Sequence, residues 1–294
     1  MNPYILLVLA PLFWSGNWLI GRGLHETITP VGLNFWRWTV AFLLLLVIVS
    51  PNIANRWRVY LKHWKLLCLL GFLGIGVFQI MVYIGLSHTS AINAVVLNST
   101  MPIFMVITSW LVLRETITWR QALGGLVSFA GILTIVSGGS LASLLGIEFS
   151  MGDLVILAAM PIWAVYSVIL KRSNTGLTGV ETLAGMTAPA LAIMAPVYAI
   201  DVIVYDNHVP ATYPVAGAIL YVGVFSSVGA FYCWNEGVRG AGSNIAGFMY
   251  HLLPAFGTIG AVALLREDLF TYQIAGIALI LAGVYMSTRA APPR

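Results

Sequence analysis

Apolar stretches separated by short polar segments follow one another along the whole chain. An α-helix needs about 20 mostly apolar residues to cross the hydrocarbon core of a bilayer. The pattern predicts ten such helices, over residues 4–21, 33–50, 65–86, 91–113, 121–138, 152–170, 180–204, 214–236, 243–265 and 271–288. Transmembrane β-strands would give shorter segments of alternating hydrophobicity. The predicted fold class is therefore an all-α membrane protein with ten transmembrane helices.

The composition supports a chain that lies in lipid. Of the 294 residues, 60% are hydrophobic and only 8% are charged, and the mean hydropathy is +0.92. A soluble domain carries roughly a quarter charged residues. The net charge of +4 comes from basic residues between the apolar stretches, which indicates an orientation in the bilayer and no nucleic-acid partner.

Lysine and arginine residues predict that orientation, because they concentrate in cytoplasmic loops. One side of the membrane receives Arg56, Arg58, Lys62, Lys65, Arg114, Arg120, Lys171, Arg172, Arg239, Arg289 and Arg294. The other side receives only Arg22, Arg37 and Arg266, at or near helix ends. Both termini are thus predicted to be cytoplasmic, in an integral protein of the bacterial inner (plasma) membrane. The connection NRWRVYLKHWK mixes basic and aromatic residues and is predicted to lie at the membrane surface.

The second half of the chain repeats the first at a constant spacing. The matched residues are Pro102 and Pro254, Phe104 and Phe256, Ile107 and Ile259, Arg114-Glu115 and Arg266-Glu267, Gln121 and Gln273, and Gly131 and Gly283. Each half has five predicted helices, an odd number, so the second half must enter the membrane from the opposite side. The predicted organisation is a five-helix repeat over 1–138, a periplasmic linker over 139–151 and a second five-helix repeat over 152–294. Inverted-topology repeats of this kind are typical of secondary transporters.

Several segments resemble a known family. They are LAPLFWSGNWLIGRG in helix 1, FWRW at the start of helix 2, and the two segments that run from a proline to VLRE and LLRE. With the five-plus-five arrangement, they resemble the EamA group of the drug/metabolite transporter superfamily, and within it YddG-type exporters of aromatic and other hydrophobic amino acids. The resemblance implies a two-fold basket in which helices 1–4 and 6–9 surround a central cavity and helices 5 and 10 are peripheral.

Polar residues and a proline interrupt helix 4. An unpaired polar group in hydrocarbon is costly, so Asn98, Ser99 and Thr100 are expected to face protein or a water-filled cavity. Pro102 removes a backbone hydrogen bond and is predicted to kink helix 4, and Pro254 is predicted to do the same in helix 9.

Helical periodicity and the repeat together predict the cavity lining. The predicted substrate-binding residues are Trp14, Asn17, Trp18, Gln79, Tyr83, Asn98, Pro102, Trp163, Tyr166, Tyr250, His251 and Pro254. Each has an alternative role in packing, which is the stronger alternative for His251; for Asn93, which is not in this set, packing and cargo contact are equally favoured. Interfacial anchoring is the expected role of Trp36, Trp38 and Trp119.

Small residues form one stripe on helix 5 and another on helix 10. The stripes consist of Gly124, Ser128 and Gly131, and of Gly276, Ala282 and Gly283. Such faces allow helices to approach closely, so they predict packing, with a dimer contact as the alternative. The chain is expected to be a monomer.

A cavity lined by Trp, Tyr and amide side chains favours an uncharged or zwitterionic cargo with an aromatic or aliphatic body. The predicted function is export of hydrophobic or aromatic amino acids and related metabolites by alternating access. The alternative is efflux of drugs or of methyl viologen-like organic cations through cation–π contacts, and a channel is a further alternative. Phosphorylated cargo is disfavoured, because it would require several basic residues in the middle of the spans.

Carboxylates are predicted only near the ends of the spans, which favours facilitated diffusion; a proton route through His251 is the alternative. The sequence contains neither HExxH nor GxSxG, and no enzyme activity, cofactor or metal is expected.

Overall fold

The computed structural model describes residues 1–24, 27–140, 142–143, 150–265 and 268–289, without the side chains of residues 18, 19, 21–24, 91, 92 and 265. All regular elements in these ranges are helices. They are α1 (Pro3–Leu24), α2 (Pro30–Lys62), α3 (Trp64–Leu86), α4 (Ala91–Asn98 and Met101–Leu113), α5 (Trp119–Val136), α6 (Met151–Arg172), α7 (Gly179–Tyr205), α8 (Tyr213–Ala241), α9 (Ser243–Met249 and Leu252–Leu265) and α10 (Thr271–Arg289).

Within these described ranges, nine helices, α2 to α10, are long and apolar enough to cross a membrane. In α1, the apolar part Pro3–Asn17 is shorter than a full span. The predicted all-α membrane class is therefore confirmed. Arg266 and Glu267, which supported the repeat, lie outside the described residues, as does most of the predicted linker.

Side-chain caps explain where several helices begin. Thr118, Ser150 and Thr178 each accept a hydrogen bond from the backbone N–H three residues later, and the side chain at that position bonds back to the cap. Each such cap stabilises its helix by about 1 kcal/mol. At the start of α10, Gln273 Oε1 likewise accepts from the Phe270 N–H at 2.9 Å.

The kinks predicted at the two prolines are confirmed as interruptions of α4 and α9. The first half of α4 ends at Asn98 and the second begins at Met101, just before Pro102. The first half of α9 ends at Met249 and the second begins at Leu252, just before Pro254. A proline lacks the N–H that would close this turn, and its ring clashes with the carbonyl four residues earlier.

Two π-helical segments, which the sequence analysis did not predict, lie inside α3 and α8. They run over Gly71–Val77 and Val222–Gly229, at corresponding positions of the two halves. Glycines in these segments allow close contact with neighbouring helices. A Cβ on Gly71 would collide with the backbone carbonyl of Met186 in α7, and one on Gly223 would lie 2.7 Å from Val40 Cγ1 in α2.

The small-residue stripes of α5 and α10 pack against each other. A Cβ on Gly131 would lie 2.6 Å from the carbonyl oxygen of Gly276 and 2.8 Å from the backbone nitrogen of Ile280. At the other end of the contact, Ser287 Oγ donates to the carbonyl of Gln121 at 3.3 Å. This contact within one chain accounts for the stripe of α5 and for Gly276 and Gly283 of α10. Ala282 is exposed, so its assignment to the stripe was wrong: Ile280 and Ser287 share the buried face of α10 instead.

The remaining helices pack mainly against helices of the other half of the chain. Helix α1 packs against α8 and α9, and α6 packs against α3 and α4. Helix α2 packs against α7 and α8, and α7 packs against α2 and α3. Each contact therefore has a counterpart between the corresponding helices of the other half.

Helix α2 differs from the prediction. It begins at Pro30, behind the cap Thr29, and continues to Lys62, so the connection NRWRVYLKHWK is mostly helix and only His63 separates α2 from α3. Arg37 and Trp38 consequently lie two turns inside the helix, not near its end. The expectation that Trp38 anchors at the interface is wrong, because its side chain is completely buried against Phe231, with ring centroids 4.8 Å apart.

Candidate substrate-binding cavity

A cavity of about 680 Å³ lies between the two halves of the chain. Pockets of roughly 300–1,000 Å³ bind small molecules. Its lining consists of Trp14, Ser15, Asn17, Leu33, Arg37, Phe78, Gln79, Val82, Tyr83, Leu86, Val95, Asn98, Ser99, Ile135, Val136, Trp163, Tyr250, Leu253, Pro254, Gly257, Thr258, Ala261 and Gln273. These residues come from the end of α3, the start of α4, the end of α5 and the start of α10, among others. We call this half of the bundle, toward residues 87–90 and 268–270, the upper half.

Aromatic rings form the floor of the cavity. Trp14 of α1 has its ring centroid 5.5 Å from that of Trp163 in α6 and 6.0 Å from that of Tyr250 in α9. Phe231 of α8 packs edge-on beneath both tryptophans, at 5.9 and 5.4 Å. Edge-to-face contacts of this kind are worth about 0.5–1.5 kcal/mol beyond the area that they bury.

A hydrogen bond fixes one ring of the floor, whereas Trp163 Nε1 is buried without a partner among the described residues. Trp14 Nε1 donates to the carbonyl of Ser226 at 3.1 Å, and Trp234 Nε1 below the floor donates to Ser167 Oγ at 3.0 Å. The floor is thus a fixed aromatic surface that can contact an apolar or aromatic body.

Amide side chains occupy the walls. Asn98 Nδ2 donates to the Ala94 carbonyl of its own helix at 2.9 Å, and no donor among the described residues bonds to its Oδ1. Asn17 Oδ1 is buried and has no partner in the described part of the chain. Gln79 and Gln273 line the cavity as well. Asn98 Oδ1 and the Gln79 amide are therefore available to a polar cargo, whereas Gln273 Oε1 already accepts from the Phe270 N–H.

Among the residues that the structure describes, Arg37 is the one cation that lines the cavity. Its side chain is 1% exposed, and Nη1 donates to Tyr83 Oη at 3.3 Å. Nε and Nη2 are buried and have no acceptor among the described residues. The sequence analysis grouped Arg37 with residues at helix ends and therefore missed it. The Thr29-Pro30 cap signature, which places the helix start earlier, was the signal that could have identified it.

Eight of the predicted substrate-binding residues line the cavity. They are Trp14, Asn17, Gln79, Tyr83, Asn98, Trp163, Tyr250 and Pro254. The side chain of Trp18 is outside the described part of the structure. Pro102, Tyr166 and His251 do not belong to the lining.

Tyr166 and Pro102 pack away from the cavity. Tyr166 is fully buried below the floor, where its Oη donates to Asn235 Oδ1 at 2.6 Å and its ring lies against Gly74 in the π segment of α3. Pro102 packs against Gly247, where the first half of α9 crosses α4. Both lie on the predicted helix faces, but neighbouring helices cover those faces.

The contacts of His251 and Asn93 favour their packing alternatives. The His251 ring lies between Ser128 Oγ, 2.6 Å from Nδ1, and the Ser99 carbonyl, 2.9 Å from Nε2, and thus ties α9 to α5 and α4. Asn93 Nδ2 donates to Asp153 Oδ2 at 2.9 Å, which links α4 to α6.

The implied division of the helices into cavity-lining and peripheral ones needs two corrections. Helices α5 and α10 were expected to be peripheral, yet Ile135, Val136 and Gln273 line the cavity. In contrast, no lining residue comes from the described residues of α7 or α8. Helix α8 contributes beneath the floor instead, through Phe231 and Trp234.

Polar contacts between the two halves of the chain close the lower half of the bundle. Glu115 after α4 forms an ion pair with Lys171 at the end of α6, and Arg56 of α2 pairs with Glu181 of α7 at 3.2 Å. The hydroxyls of Ser109 and Ser243 form a hydrogen bond between α4 and α9. In this conformation the cavity therefore belongs to the upper half alone.

Comparison with known proteins relates this architecture to a protein family. The model of the EamA-like transporter family matches residues 1–137 and 150–289. The chain belongs to this family. A crystal structure with 19% sequence identity has the same fold, with a TM-score of 0.78 over 98% of this chain and 96% of the other.

Relatives of the EamA protein extend over nearly its full length. The uncharacterized transporter YyaM of Bacillus subtilis strain 168 is 25% identical over 97% of this chain and 92% of its own. An uncharacterized transporter of Archaeoglobus fulgidus is 29% identical, over 98% and 97%. A protein of Streptantibioticus cattleyicolor named "Probable terminal-alkyne amino-acid exporter" is 26% identical, over 96% and 92%. The family and these relatives show that the chain is a membrane transporter.

Proposed function

We propose that this EamA protein exports hydrophobic and aromatic amino acids across the bacterial inner membrane by alternating access, in the manner of YddG-type exporters. The observation that carries the proposal is a cavity with an aromatic floor, amide walls and, among the described residues, one guanidinium group. The free amino acid would be the cargo, with its side chain on the floor and its polar end toward the walls.

The proposed mechanism requires two inverted five-helix repeats, over 1–138 and 152–294, with ten spans and cytoplasmic termini. Three observations support this arrangement. The family model matches two stretches that nearly coincide with the halves, and π segments and interrupted helices occur at corresponding positions. Each contact between helices of different halves also has a counterpart between the corresponding helices. Two such halves can rock about the seam that contains the cavity.

The relative named as a terminal-alkyne amino-acid exporter supports an amino acid as the cargo class. At the site itself, indole and phenol rings contact apolar side chains over a large area at little entropic cost. An amino acid with a large apolar side chain fits such a floor better than a sugar or a nucleotide, which would require many more hydrogen-bonding groups.

The aromatic floor also suits organic cations, which makes multidrug efflux the second candidate. Two features weigh against it. Arg37 would repel a cation, and none of the lining residues in the described part of the chain is a carboxylate that could attract one.

We propose facilitated diffusion down the substrate gradient. Proton- or sodium-coupled carriers generally place a carboxylate along the pathway. Here Asp153 accepts hydrogen bonds from Thr89 and Asn93, and Glu181 is paired with Arg56, so both are engaged away from the cavity.

Uptake of labelled phenylalanine by proteoliposomes tests the proposal. Wild-type protein should give saturable uptake that a protonophore leaves unchanged. Trp163→Ala should reduce apparent affinity for phenylalanine by about tenfold, because it removes one face of the floor. The matched control is Trp119→Ala, whose ring is 70% exposed and far from the cavity.

Uptake no greater than in protein-free vesicles for every hydrophobic amino acid would refute amino-acid export. Uptake of methyl viologen that phenylalanine does not compete with would favour the multidrug alternative. Loss of downhill flux with the protonophore would refute facilitated diffusion.

A further inference from the structure

We infer that Arg37 is the carboxylate-binding residue of the central cavity, so that a cargo molecule must carry a free carboxylate to bind well. The inference deepens the proposed function, since it takes the same cavity as the transport site. It adds a requirement for one chemical group and assigns that requirement to one side chain.

The hydrogen bonding of Arg37 leaves one edge of its guanidinium unused. Nη1 bonds to Tyr83 Oη, whereas Nε and Nη2 have no acceptor among the described residues. The Nε–H and Nη2–H bonds point in the same direction, and together they form the edge that binds a carboxylate through two parallel hydrogen bonds. The two N–H donors without acceptors are thus parallel and adjacent, as the binding of one carboxylate requires.

Among the described residues, no carboxylate compensates the charge of Arg37. Ion pairs in the described part of the chain join Arg56 to Glu181, Lys171 to Glu115 and Arg239 to Glu236, and none includes Arg37. Burial of a charge without a partner is strongly unfavourable. The Trp38 ring, 5.5 Å from the guanidinium carbon, offsets only part of this cost. An anionic cargo would supply the missing counter-charge.

A small movement of the side chain would bring the free edge to the cargo. Arg37 and Tyr83 both line the cavity, but the two free nitrogens of Arg37 are buried. The 3.3 Å bond to Tyr83 is long and has a neutral acceptor, so a charged acceptor would replace it readily. The guanidinium can then turn toward the lumen on its flexible stem.

Four related ligands separate the contribution of the carboxylate from that of the aromatic body. Phenylalanine and 3-phenylpropionate carry a carboxylate, whereas phenylalaninamide and phenethylamine do not. Binding is measured by intrinsic tryptophan fluorescence of the purified full-length protein in detergent. The wild type should bind the first two at least about tenfold more tightly than the last two, which is the contribution of a charge-assisted pair of hydrogen bonds.

Substitutions at position 37 then assign the preference. Arg37→Gln should bring the ratio of carboxylate to amide binding close to one, and Arg37→Lys should retain part of it, because an ammonium keeps the charge without the fork. Arg58→Gln is the matched control, since it removes an exposed cation from the lower end of the same helix. A purely structural Arg37 would weaken all four ligands equally.

Equal binding of phenylalanine and phenylalaninamide by the wild type would overturn the inference without any mutant. An unchanged ratio in Arg37→Gln would overturn it as well. Carboxylate-dependent binding without flux in proteoliposomes would support the inference and refute export. Flux of both phenylalanine and its amide at equal rates would support transport and refute the role of Arg37.

Discussion

The contact between α5 and α10 gives a prediction whose size follows from the geometry. In Gly131→Ala, the new Cβ would lie 2.6 Å from the Gly276 carbonyl oxygen, whereas ordinary contact begins at 3.4 Å. Of the three obstructing atoms, this carbonyl oxygen and the Ile280 nitrogen belong to the backbone, and the third, Leu279 Cβ, is fixed to it, so the helices must separate by about 0.8 Å. A gap of 0.5–1 Å removes roughly a quarter to a half of the attraction between facing atoms.

We expect Gly131→Ala to lower the free energy of unfolding by about 1–2 kcal/mol. Overpacking costs about 1–3 kcal/mol, and the better helix propensity of alanine returns up to about 1 kcal/mol. Gly276→Ala should behave similarly, because its Cβ would lie 2.7 Å from the Gly131 carbonyl oxygen. In the double variant the helices are already apart, so the combined loss should be smaller than the sum of the two.

Unfolding in mixed detergent and SDS micelles measures these losses. Gly217→Ala in α8 is the control, because no atom lies within 4 Å of its Cβ, and it should be neutral or more stable. Flux per folded molecule should not change in any of these variants. A Gly131→Ala protein as stable as the Gly217→Ala protein, or one with wild-type stability and lost flux, would contradict the packing role.

Two further predictions concern His251 and the lower half of the bundle. His251→Leu should lose about 1–3 kcal/mol of stability, because the Ser99 carbonyl loses its side-chain partner and the Ser128 hydroxyl keeps only the Gly125 carbonyl. The pH profile of flux should stay that of the wild type, and a shifted profile would revive the proton route. Glu115→Gln removes the ion pair with Lys171 and should weaken closure of the lower half by at most about 1 kcal/mol, or up to fivefold in population. Because a cysteine at Ser109 removes the bond to Ser243, its labelling by a small thiol reagent is compared with and without Glu115→Gln in that same variant. Labelling should be higher with Glu115→Gln, and equal labelling would show that the ion pair does not contribute to closure.

The sequence by itself determined the helical membrane class and the approximate position of each helix. In lipid, backbone groups must bond within their own helix, so length and hydropathy along the chain are enough to predict a span. The interruptions before Pro102 and Pro254 were predictable for the same local reason, since a proline acts on its own turn. The small-residue stripe around Gly131 was equally visible in the sequence, but its pairing with the stripe of α10 was not.

Only the tertiary structure decided which face of each helix reaches the cavity. Tyr166 lies one turn from Trp163 and was expected to share its environment, yet Gly74 of α3 covers it. His251 and Ser128 are far apart in sequence, and their bond depends on how α5 and α9 meet. Arg37 was assigned to a helix end because local hydropathy begins late in α2. Its burial beside Tyr83 depends on contacts between helices, which a one-dimensional pattern does not contain.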